Sequence, residues 1–366
     1  MNLVYAKKIS AYDVRQISDF IDMVFRKENV YAEASKRSSV LLKPNLLSKP
    51  TKDCDFVTTN RVVVEAVVML LLENKIEPSR IVIGDGASAI NKNMDAIFYE
   101  SGMTSIADRF SLSLVNFNVL PYTEKMGIKL SNYLDSDPYI INLAKLKTHM
   151  LTKLTLSVKN LYGLLPSAVK LSYHSQFNTE DSFCRLLSKI YKAVMPAVNI
   201  VDGIVSMEGN GPGSGEKKDV GIIACSRNGF ALDSFIGDSC GFKKGELLFV
   251  KHGIIDNLFD GKYALVGDNF SCSLKKPTRN AFTLPLTLAD SRFARHLLTS
   301  YPLIINDTCR KCMKCMSMCP EGAITLKEGY PFVRKRECVA CYCCVEVCPY
   351  KSIKTKKSFL EKVKIV

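Results

Sequence analysis

The chain has 366 residues, of which 47% are hydrophobic and 23% are charged. This composition is typical of a globular protein of about two domains and excludes a disordered chain. The formal net charge of +14 is compatible with nucleic-acid binding, but no platform of aromatic and basic residues accompanies the charge, so we expect no nucleic-acid partner.

The sequence also predicts that the protein is neither secreted nor membrane-spanning. The first ten residues carry two lysines but no apolar stretch follows them, so no signal peptide is predicted. The most apolar run, residues 62–72, is interrupted by Glu65 and is too short to span a bilayer. We therefore predict a cytoplasmic protein with no membrane span.

Strand-like and helix-like segments alternate through the first 270 residues. Apolar residues at helical spacing, such as Val14, Ile17 and Ile21, predict helices, whereas short apolar runs predict strands. In chain order the predicted elements are strand 3–9, helix 13–27, strand 39–42, helix 60–74, strand 81–83, helix 94–102, strands 112–117 and 139–146, helices 152–164 and 181–194, and strands 198–201 and 220–225. Thr59 is the expected cap of helix 60–74. This alternation predicts a three-layer α/β domain with a largely parallel sheet.

The cysteines are concentrated near the end of the chain. Nine of the 14 fall between Cys309 and Cys348, in two copies of the pattern Cys-x2-Cys-x2-Cys-x3-Cys-Pro. In bacterial two-cluster ferredoxins, three cysteines of each copy ligate one 4Fe-4S cluster and the fourth ligates the other cluster. A zinc site is the alternative, but zinc favours ligands in two separated pairs.

We therefore predict two 4Fe-4S clusters. The ligands of the first are Cys309, Cys312, Cys315 and Cys348. The ligands of the second are Cys338, Cys341, Cys344 and Cys319. Cys343 is left as a non-ligand. Residues 303–358 resemble a bacterial two-cluster ferredoxin, so we assign residues 301–366 to a small α+β ferredoxin-like domain. Residues 1–300 form the α/β domain and include a proline-containing linking segment at about 275–302.

The charge of the last segment suits an electron-transfer partner. Residues 301–366 contain 13 lysines and arginines against six acidic residues. A 4Fe-4S cluster with four thiolates carries about two negative charges, so bound clusters cancel part of this excess. The remaining positive charge predicts docking of a soluble acidic electron-transfer protein such as a ferredoxin or a flavodoxin.

Basic residues also collect at one predicted strand end in the α/β domain. Side chains alternate along a strand, so Lys145, Lys147 and His149 lie on one face. In parallel α/β sheets, ligands bind beyond the carboxyl ends of the strands. These groups predict an anionic ligand, a carboxylate or a phosphate, with a solvated basic face as the alternative.

Three glycine- or proline-containing segments follow predicted strands. Segments 43–45 (Lys-Pro-Asn) and 84–86 (Gly-Asp-Gly) are candidate binding turns, and each is also compatible with an ordinary turn. The glycine-rich segment 209–215 has the composition of a phosphate-binding loop. It lacks the Gly-Lys-Ser/Thr ending of a P-loop.

Several of these segments together resemble a known family. The runs 145–166 (KLKTHMLTKLTLSVKNLYGLLP) and 201–212 (VDGIVSMEGNGP), with Phe-Ala-Leu-Asp at 230–233, are similar to the domain-of-unknown-function 362 family. Its early motifs also match segments 43–45 and 84–86. The resemblance covers most of residues 1–270, and members of the family often carry a ferredoxin tail of this type. It implies a fold and an architecture rather than a reaction.

The leading functional hypothesis is a ferredoxin-type iron–sulfur oxidoreductase. Low-potential electrons would pass from a soluble donor through two 4Fe-4S clusters to an anionic small molecule in the α/β domain. His149 is the expected proton donor, because histidine titrates near neutrality. The other candidate catalytic residues are Lys147, Lys159, Asp85 and Glu208. The candidate cofactor-binding or ligand-binding residues are Lys43, Asn45, Lys145, Asn160, Gly209 and Gly211. Asp202 and Asp233 are candidates for polar contacts or for helix caps.

Two alternatives stay open: a non-catalytic electron-transfer protein, and a sensor of ligand or redox state. Reductions of metabolites usually need two electrons, which two clusters supply in sequence. A flavin would also serve, but no dinucleotide-binding fingerprint supports one. A cleft that gathers Lys43, Asp85, His149, Lys159 and Glu208 opposite the clusters would favour the enzyme.

Overall fold

The computed structural model describes residues 1–47, 55–87, 93–213, 215–277, 301–338 and 341–356. Most of the predicted linking segment at 275–302 lies outside these described residues, as do Ser214 and residues 357–366. The described residues of 1–277 are called the α/β part below. Those of 301–356 are called the cysteine-rich part.

The elements of the α/β part alternate as the sequence predicts. Its strands are β1 Asn2–Lys8, β2 Val40–Pro44, β3 Ile81–Asp85, β4 Ser113–Asn116, β5 Tyr122–Lys125, β6 Ile128–Ser131, β7 Tyr139–His149, β8 Lys153–Thr155, β9 Val198–Glu208, β10 Glu216–Ser226 and β11 Tyr263–Gly267. Its α-helices are α1 Val14–Lys27, α2 Val30–Ala34, α3 Arg61–Glu73, α4 Met94–Glu100, α5 Met103–Phe110, α6 Ser157–Asn160, α7 Ser167–Gln176, α8 Glu180–Val194, α9 Gly229–Ser239 and α10 Leu248–Ile255.

One mixed sheet organises this part. Within the described ranges it has nine strands in the order β11-β1-β10-β9-β7-β2-β3-β4, with β8 paired to the end of β7. The pairs β11–β1, β9–β7, β7–β2, β2–β3 and β3–β4 are parallel. The pairs β1–β10, β10–β9 and β7–β8 are antiparallel. The predicted α/β fold with a largely parallel sheet is therefore confirmed, and the antiparallel strands β10 and β8 make the sheet mixed.

Helices cover both faces of the sheet, which is why its central strands are apolar along both faces. On one face Ile141 of β7 belongs to a core that contains Ile17 of α1 and Val67 of α3. On the other face Ile140 of β7 belongs to a core that contains Leu187 of α8. The sheet and its two helical layers form the predicted three-layer arrangement.

Local chemistry sets where several helices begin. Asp13 caps α1 by accepting hydrogen bonds from the N–H groups of Arg15 and Gln16. Asn60 caps α3 by accepting from the N–H of Val62. The predicted cap Thr59 instead donates its hydroxyl to the carbonyl of Leu143 on β7.

The predicted helix 152–164 is wrong, because the chain first turns back along β7 as β8. The backbone of Lys153 has a φ of 65°, which is outside the right-handed helical region. The helix α6 starts only at Ser157, where the Asp233 carboxylate accepts from the N–H groups of Ser157 and Val158. A turn of 3-10 helix, Leu161–Leu164, follows. The spacing of apolar residues did not identify the helix correctly, because the segment is buried on all sides rather than along one stripe.

The cysteine-rich part repeats a small unit. Strand β12 Tyr301–Ile304 pairs antiparallel with β15 Ile353–Lys356, and β13 Ile324–Lys327 pairs antiparallel with β14 Tyr330–Val333. Two short helices, Lys314–Ser317 and Cys343–Val347, lie between these strands in the sequence. Across the described ranges, no helix has the length and apolar character that crossing a membrane requires.

Candidate functional site

A cleft lies where the carboxyl ends of β2, β3 and β7 meet the cysteine-rich part. Three lysines line it, Lys147, Lys159 and Lys170. Met318 and Cys343 of the cysteine-rich part also line it. This edge of a parallel sheet is where α/β proteins bind ligands. The three lysines give the cleft a cationic lining.

The two parts of the chain touch beside this cleft. Met150, just after β7, packs in the same apolar cluster as Cys315 and Tyr342. On α7, the hydroxyl of Ser175 donates to a carboxylate oxygen of Glu321 at 2.5 Å. These contacts bring the cysteine-rich part against the carboxyl end of the sheet.

A buried ion pair forms the floor of the cleft. Lys43 Nζ, at the end of β2, lies 2.6 Å from Asp85 Oδ1, at the end of β3, and both side chains are almost fully excluded from water. Asp85 also accepts from the N–H groups of Leu46 at 2.6 Å and Gly86 at 2.7 Å. Burial lowers the pKa of Lys43, and the charge of Asp85 opposes that shift. A Cβ added at Gly163 would lie against this pair, so only glycine fits there.

An amide network holds the next layer of the site. Lys147 Nζ donates to Asn45 Oδ1 and to the carbonyl of Val57, each at 2.8 Å. Asn45 Nδ2 donates to Asn160 Oδ1 at 2.9 Å. Asn160 Nδ2 donates in turn to Asn142 Oδ1 at 2.8 Å. The structure thus brings together Asn45, Lys147 and Asn160, which come from three separate segments of the sequence.

Lys170 on α7 is a site residue that the sequence analysis missed. Its buried Nζ donates to the carbonyls of Gly86 at 2.7 Å and Ala87 at 3.0 Å, and to Asn118 Oδ1 at 3.0 Å. Burial lowers the pKa of Lys170 to about 7, although the charge of Asp85 opposes the shift. An ammonium with a pKa near neutrality can either neutralise an anion or deliver a proton. Little in the sequence indicates this role, because Lys170 lies on a short helix, α7, that the apolar periodicity did not predict.

Three further features of the lining suit a ligand. The hydroxyl of Thr155 is buried and has no hydrogen-bond partner within the described chain. An unpaired buried hydroxyl costs free energy that a bound polar group would recover. The imidazole of His174 lines the cleft and stacks on Phe183, with ring centroids 5.0 Å apart. Lys159 Nζ lies 5.8 Å from the centre of the Tyr162 ring.

Lys145 lies outside the cleft lining, in a second buried ion pair. Its Nζ is 2.8 Å from Asp202 Oδ2 on β9 and 2.9 Å from the Tyr12 hydroxyl. The same carboxylate accepts from the N–H of Asn60 at the start of α3. Asp202 therefore serves as a helix anchor, and Lys145 serves as its counter-ion. Asp233, which holds the start of α6, has a similar structural role.

His149 and Glu208 also lie outside the cleft lining. His149 Nδ1 accepts from the N–H groups of Leu151 at 3.0 Å and Thr152 at 3.3 Å, so this nitrogen is an acceptor and not a proton donor. Glu208, at the end of β9, accepts from the N–H of Lys275 at 3.0 Å. Of the five residues proposed to meet, Asp85 and Lys159 line the cleft and Lys43 lies beneath it.

The glycine-rich loop packs on the end of β7. The Thr148 hydroxyl donates to the carbonyl of Gly209 at 2.8 Å, and the N–H of Met150 donates to the carbonyl of Gly211 at 3.3 Å. A Cβ at Gly211 would collide with the carbonyl of Thr148. Gly211 therefore allows a close approach of two backbones, and Gly209 has a φ of 81°, which favours glycine. Pro212 is the loop residue that lines the cleft.

The repeat cysteines line two cavities of about 320 Å³ each. The fourth cysteine of each repeat lies with the first three of the other repeat, as the interleaved pattern predicts. One cavity is lined by Cys309, Cys312, Cys315 and Cys348. The other is lined by Cys319, Cys338, Cys341, Cys343 and Cys344. Cys343 also lines the cleft, so the second cavity adjoins it.

The thiols of each cavity suit a cationic group between them. Burial and the neighbouring thiols of its set, Cys309 first among them, together raise the pKa of Cys315 to about 11. Burial likewise raises the pKa of Cys344, with Cys341 as its strongest neighbour. Thiols crowded in this way ionise together only when positive charge lies among them, and iron ions supply that charge.

Backbone amides complete the fit. The N–H of Ala323 lies 3.1 Å from Cys319 Sγ, and the N–H of Ser352 lies 3.3 Å from Cys348 Sγ. Hydrogen bonds to sulfur stabilise ligating thiolates and tune cluster potentials. The donor set therefore fits an iron–sulfur cluster of the ferredoxin type.

Comparison with known proteins agrees with both parts. A family model described as a domain of unknown function (DUF362) matches residues 40–238, which is more than half of the chain. The chain belongs to the DUF362 family. A second model, described as a 4Fe-4S dicluster domain, matches residues 308–352. This DUF362 protein thus carries a C-terminal 4Fe-4S ferredoxin domain, as the resemblance implied.

A curated relative matches part of this DUF362 chain. The chain is 33% identical over 206 residues to the thylakoid-associated protein sll1697 of Synechocystis sp.. The match covers 54% of this chain and 62% of the relative. The chain therefore spans less than two thirds of the length of that relative.

Proposed function

We propose that the chain is an iron–sulfur oxidoreductase that delivers low-potential electrons to a small anionic substrate held in the cleft. The observation that carries the proposal is the position of Cys343. It lines both the cleft with its three lysines and the cavity of the second cysteine set. A substrate site and an electron source thus share one wall.

The proposal assigns the eight repeat cysteines as ligands of two 4Fe-4S clusters. Cys309, Cys312, Cys315 and Cys348 hold one cluster, and Cys319, Cys338, Cys341 and Cys344 hold the other. When bound, these clusters supply single electrons at low potential. Two of them supply two electrons in sequence, so the proposal needs no flavin. Cys343 remains a non-ligand.

The lysines bind and orient the substrate. Lys147, Lys159 and Lys170 face the same volume, so a carboxylate or phosphate group there meets three cationic side chains. The Thr155 hydroxyl offers a further polar contact. The proton-donor role moves from His149 to Lys170, since burial brings the pKa of Lys170 to about 7. Asp85 and Lys43 keep the floor of the cleft rigid.

The electron donor docks on the other side of the cysteine-rich part. The exposed basic residues Arg310 and Lys314 line the first cavity, and exposed Lys311 lies between them in the sequence. An acidic electron-transfer protein, such as a ferredoxin or flavodoxin, complements this surface. We place this exchange in the cytoplasm. The thylakoid association belongs to the relative's name, and fractionation of the native cell decides between the two locations.

Anaerobic turnover tests the proposal. The purified protein is mixed with reduced methyl viologen and a panel of small carboxylates and phosphates, and viologen oxidation is followed by absorbance. The proposal expects oxidation that depends on one anion and is lost in Lys159→Met. The control Lys189→Met changes an exposed lysine on α8 and should keep the rate. Anion binding without electron transfer would contradict the oxidoreductase proposal and favour a ligand sensor.

A further inference from the structure

Two cysteines outside the repeat face each other in the α/β part. Cys240 is the C-cap residue that follows α9, and Cys272 lies on the segment that follows β11. Their sulfur atoms are 3.2 Å apart. The N–H of Cys272 donates to the carbonyl of Ser239 at 2.8 Å, so the backbone beside the pair is fixed as well. A disulfide needs the sulfurs to move to about 2.05 Å, which is a shift of about one ångström.

The two thiols differ in access. Cys240 is 1% exposed, whereas Cys272 is partly exposed and stands between the exposed Ser271 and Ser273. A reagent in solution can therefore reach the sulfur of Cys272 first. The burial of Cys240 suits a resolving thiol that acts only after Cys272 has reacted.

The electrostatics of the pair favour the same order. The hydrogen bond between the two sulfurs and the nearby charge of Lys218 lower the pKa of Cys272, whereas burial and the charge of Glu208 raise it. The same hydrogen bond and burial raise the pKa of Cys240. The thiolate is the reactive form of cysteine, so Cys272 is the nucleophile of the pair.

We propose that Cys240 and Cys272 form a redox-active dithiol that closes to a disulfide and thereby fixes the loop that borders the cleft. The inference does not depend on the proposed oxidoreductase function, because neither cysteine belongs to the repeat or lines the cleft.

The oxidant is a small-molecule disulfide or a protein disulfide. The thiolate of Cys272 attacks one sulfur of that disulfide, whose S–S bond breaks, and one thiolate leaves. Cys240 then loses its proton and attacks the Cys272 sulfur, and the second thiolate leaves. The pair gives up two electrons and two protons, and the oxidant departs as two thiols.

Hydrogen bonds connect this pair to the cleft. Three residues after Cys272, the N–H of Lys275 donates to Glu208 at 3.0 Å, and the carbonyl of Lys275 accepts from the N–H of Gly209 at 2.8 Å. Gly209 begins the loop whose Pro212 lines the cleft. A disulfide at Cys272 would therefore restrain the segment 272–275, which is hydrogen-bonded to this loop.

Quantitative redox titration of the intact holoprotein tests the inference. The protein is equilibrated anaerobically in glutathione buffers of increasing oxidised fraction, quenched in acid, alkylated with N-ethylmaleimide and digested. Mass spectrometry then follows the peptide that links Cys240 to Cys272. We expect the linked peptide to appear in one two-electron transition and to vanish with dithiothreitol. Cys184 and Cys225, both fully buried, stay unlinked in the same digest as internal controls.

Two other results would overturn the inference. One is a stable mixed disulfide between glutathione and Cys272 that Cys240 does not resolve. The other concerns the coupling to the cleft, which is measured by amide hydrogen exchange in residues 208–213. Exchange there should slow by about tenfold on oxidation and should not respond in Cys272→Ser. Equal exchange in the oxidised and reduced wild type would remove the link to the loop.

Discussion

The ammonium of Lys43 lies 2.6 Å from a carboxylate oxygen of Asp85, and both side chains are almost fully excluded from water. The pair joins the carboxyl ends of two neighbouring parallel strands and supports the floor of the cleft. Each charge depends on the other, since an unpaired ion in this position has no solvent to stabilise it.

Replacement of Asp85 by asparagine should therefore lower the free energy of unfolding by about 3–5 kcal/mol, because it leaves the Lys43 charge buried and unpaired. Urea denaturation measures the loss. The matched control is Asp219→Asn, which removes the exposed partner of Lys217 and should cost less than about 1 kcal/mol. Equal losses in the two variants would contradict the structural role of the buried pair.

The interleaved cysteine sets predict which cluster each substitution removes. Cys319→Ser should lower iron from about eight to about four atoms per chain, because Cys319 lines the cavity of the other repeat. Quantitative EPR of the dithionite-reduced protein should then show one cluster signal instead of two interacting ones. Cys343→Ser is the control and should keep both signals. Loss of iron in Cys343→Ser to the same extent would show that the ligand assignment is wrong.

Lys170 predicts the pH dependence of anion binding. Its folded pKa of about 7 lies below the unfolded value of about 10.4, so the ammonium form is present below pH 7 and is lost as the pH rises. Sulfate affinity, measured by calorimetry, should therefore fall roughly tenfold between about pH 7 and pH 8.5. Lys170→Met should bind sulfate weakly at every pH, and Lys189→Met should behave as the wild type. A wild-type affinity that is constant over this range would exclude Lys170 from the anion site.

The lowered pKa of Lys170 also makes the stability of the protein depend on pH. Between about pH 7 and pH 10 the unfolded chain binds more protons at Lys170 than the folded chain does, so this residue makes stability rise with pH across that window. The unfolding free energy of the wild type should rise relative to that of Lys170→Met, which urea titrations at several pH values compare.

The basic surface beside the first cysteine cavity predicts the kinetics of electron entry. Reversal of two exposed charges, Arg310→Glu with Lys314→Glu, should slow reduction by a soluble acidic ferredoxin by roughly tenfold at low salt. Stopped-flow absorbance measures the rate. The difference should shrink in high salt, because ions screen exposed charges. Reduction by dithionite is the control, and an equal slowing with dithionite would point to cluster damage instead.

The cysteine sets and the fold class were predictable because their signals are local. Eight cysteines at fixed spacing leave few ways of grouping into two sets, and alternating strands and helices of ordinary length leave few architectures. Segments 43–45 and 84–86 were also singled out correctly as strand ends. The parallel pairing of β2 with β3 brings Lys43 and Asp85 of these segments together as one ion pair.

Tertiary contacts set the positions of several site residues that the sequence could not predict. The alternation along β7 placed Lys145, Lys147 and His149 on one face, yet Lys145 pairs with Asp202 on β9 and only Lys147 reaches the cleft. Lys170 arrives on a helix with weak apolar periodicity. Cys240 and Cys272 meet only because α9 and the segment after β11 pack together.

The position of β1 has a consequence for synthesis. This strand emerges from the ribosome long before its two partners, because it pairs with β10 on one side and β11 on the other, which end at Ser226 and Gly267. At typical elongation rates the wait is on the order of ten to fifty seconds. For that time β1 has two unpaired edges, so the nascent chain should be a client of ribosome-associated chaperones until its sheet can close.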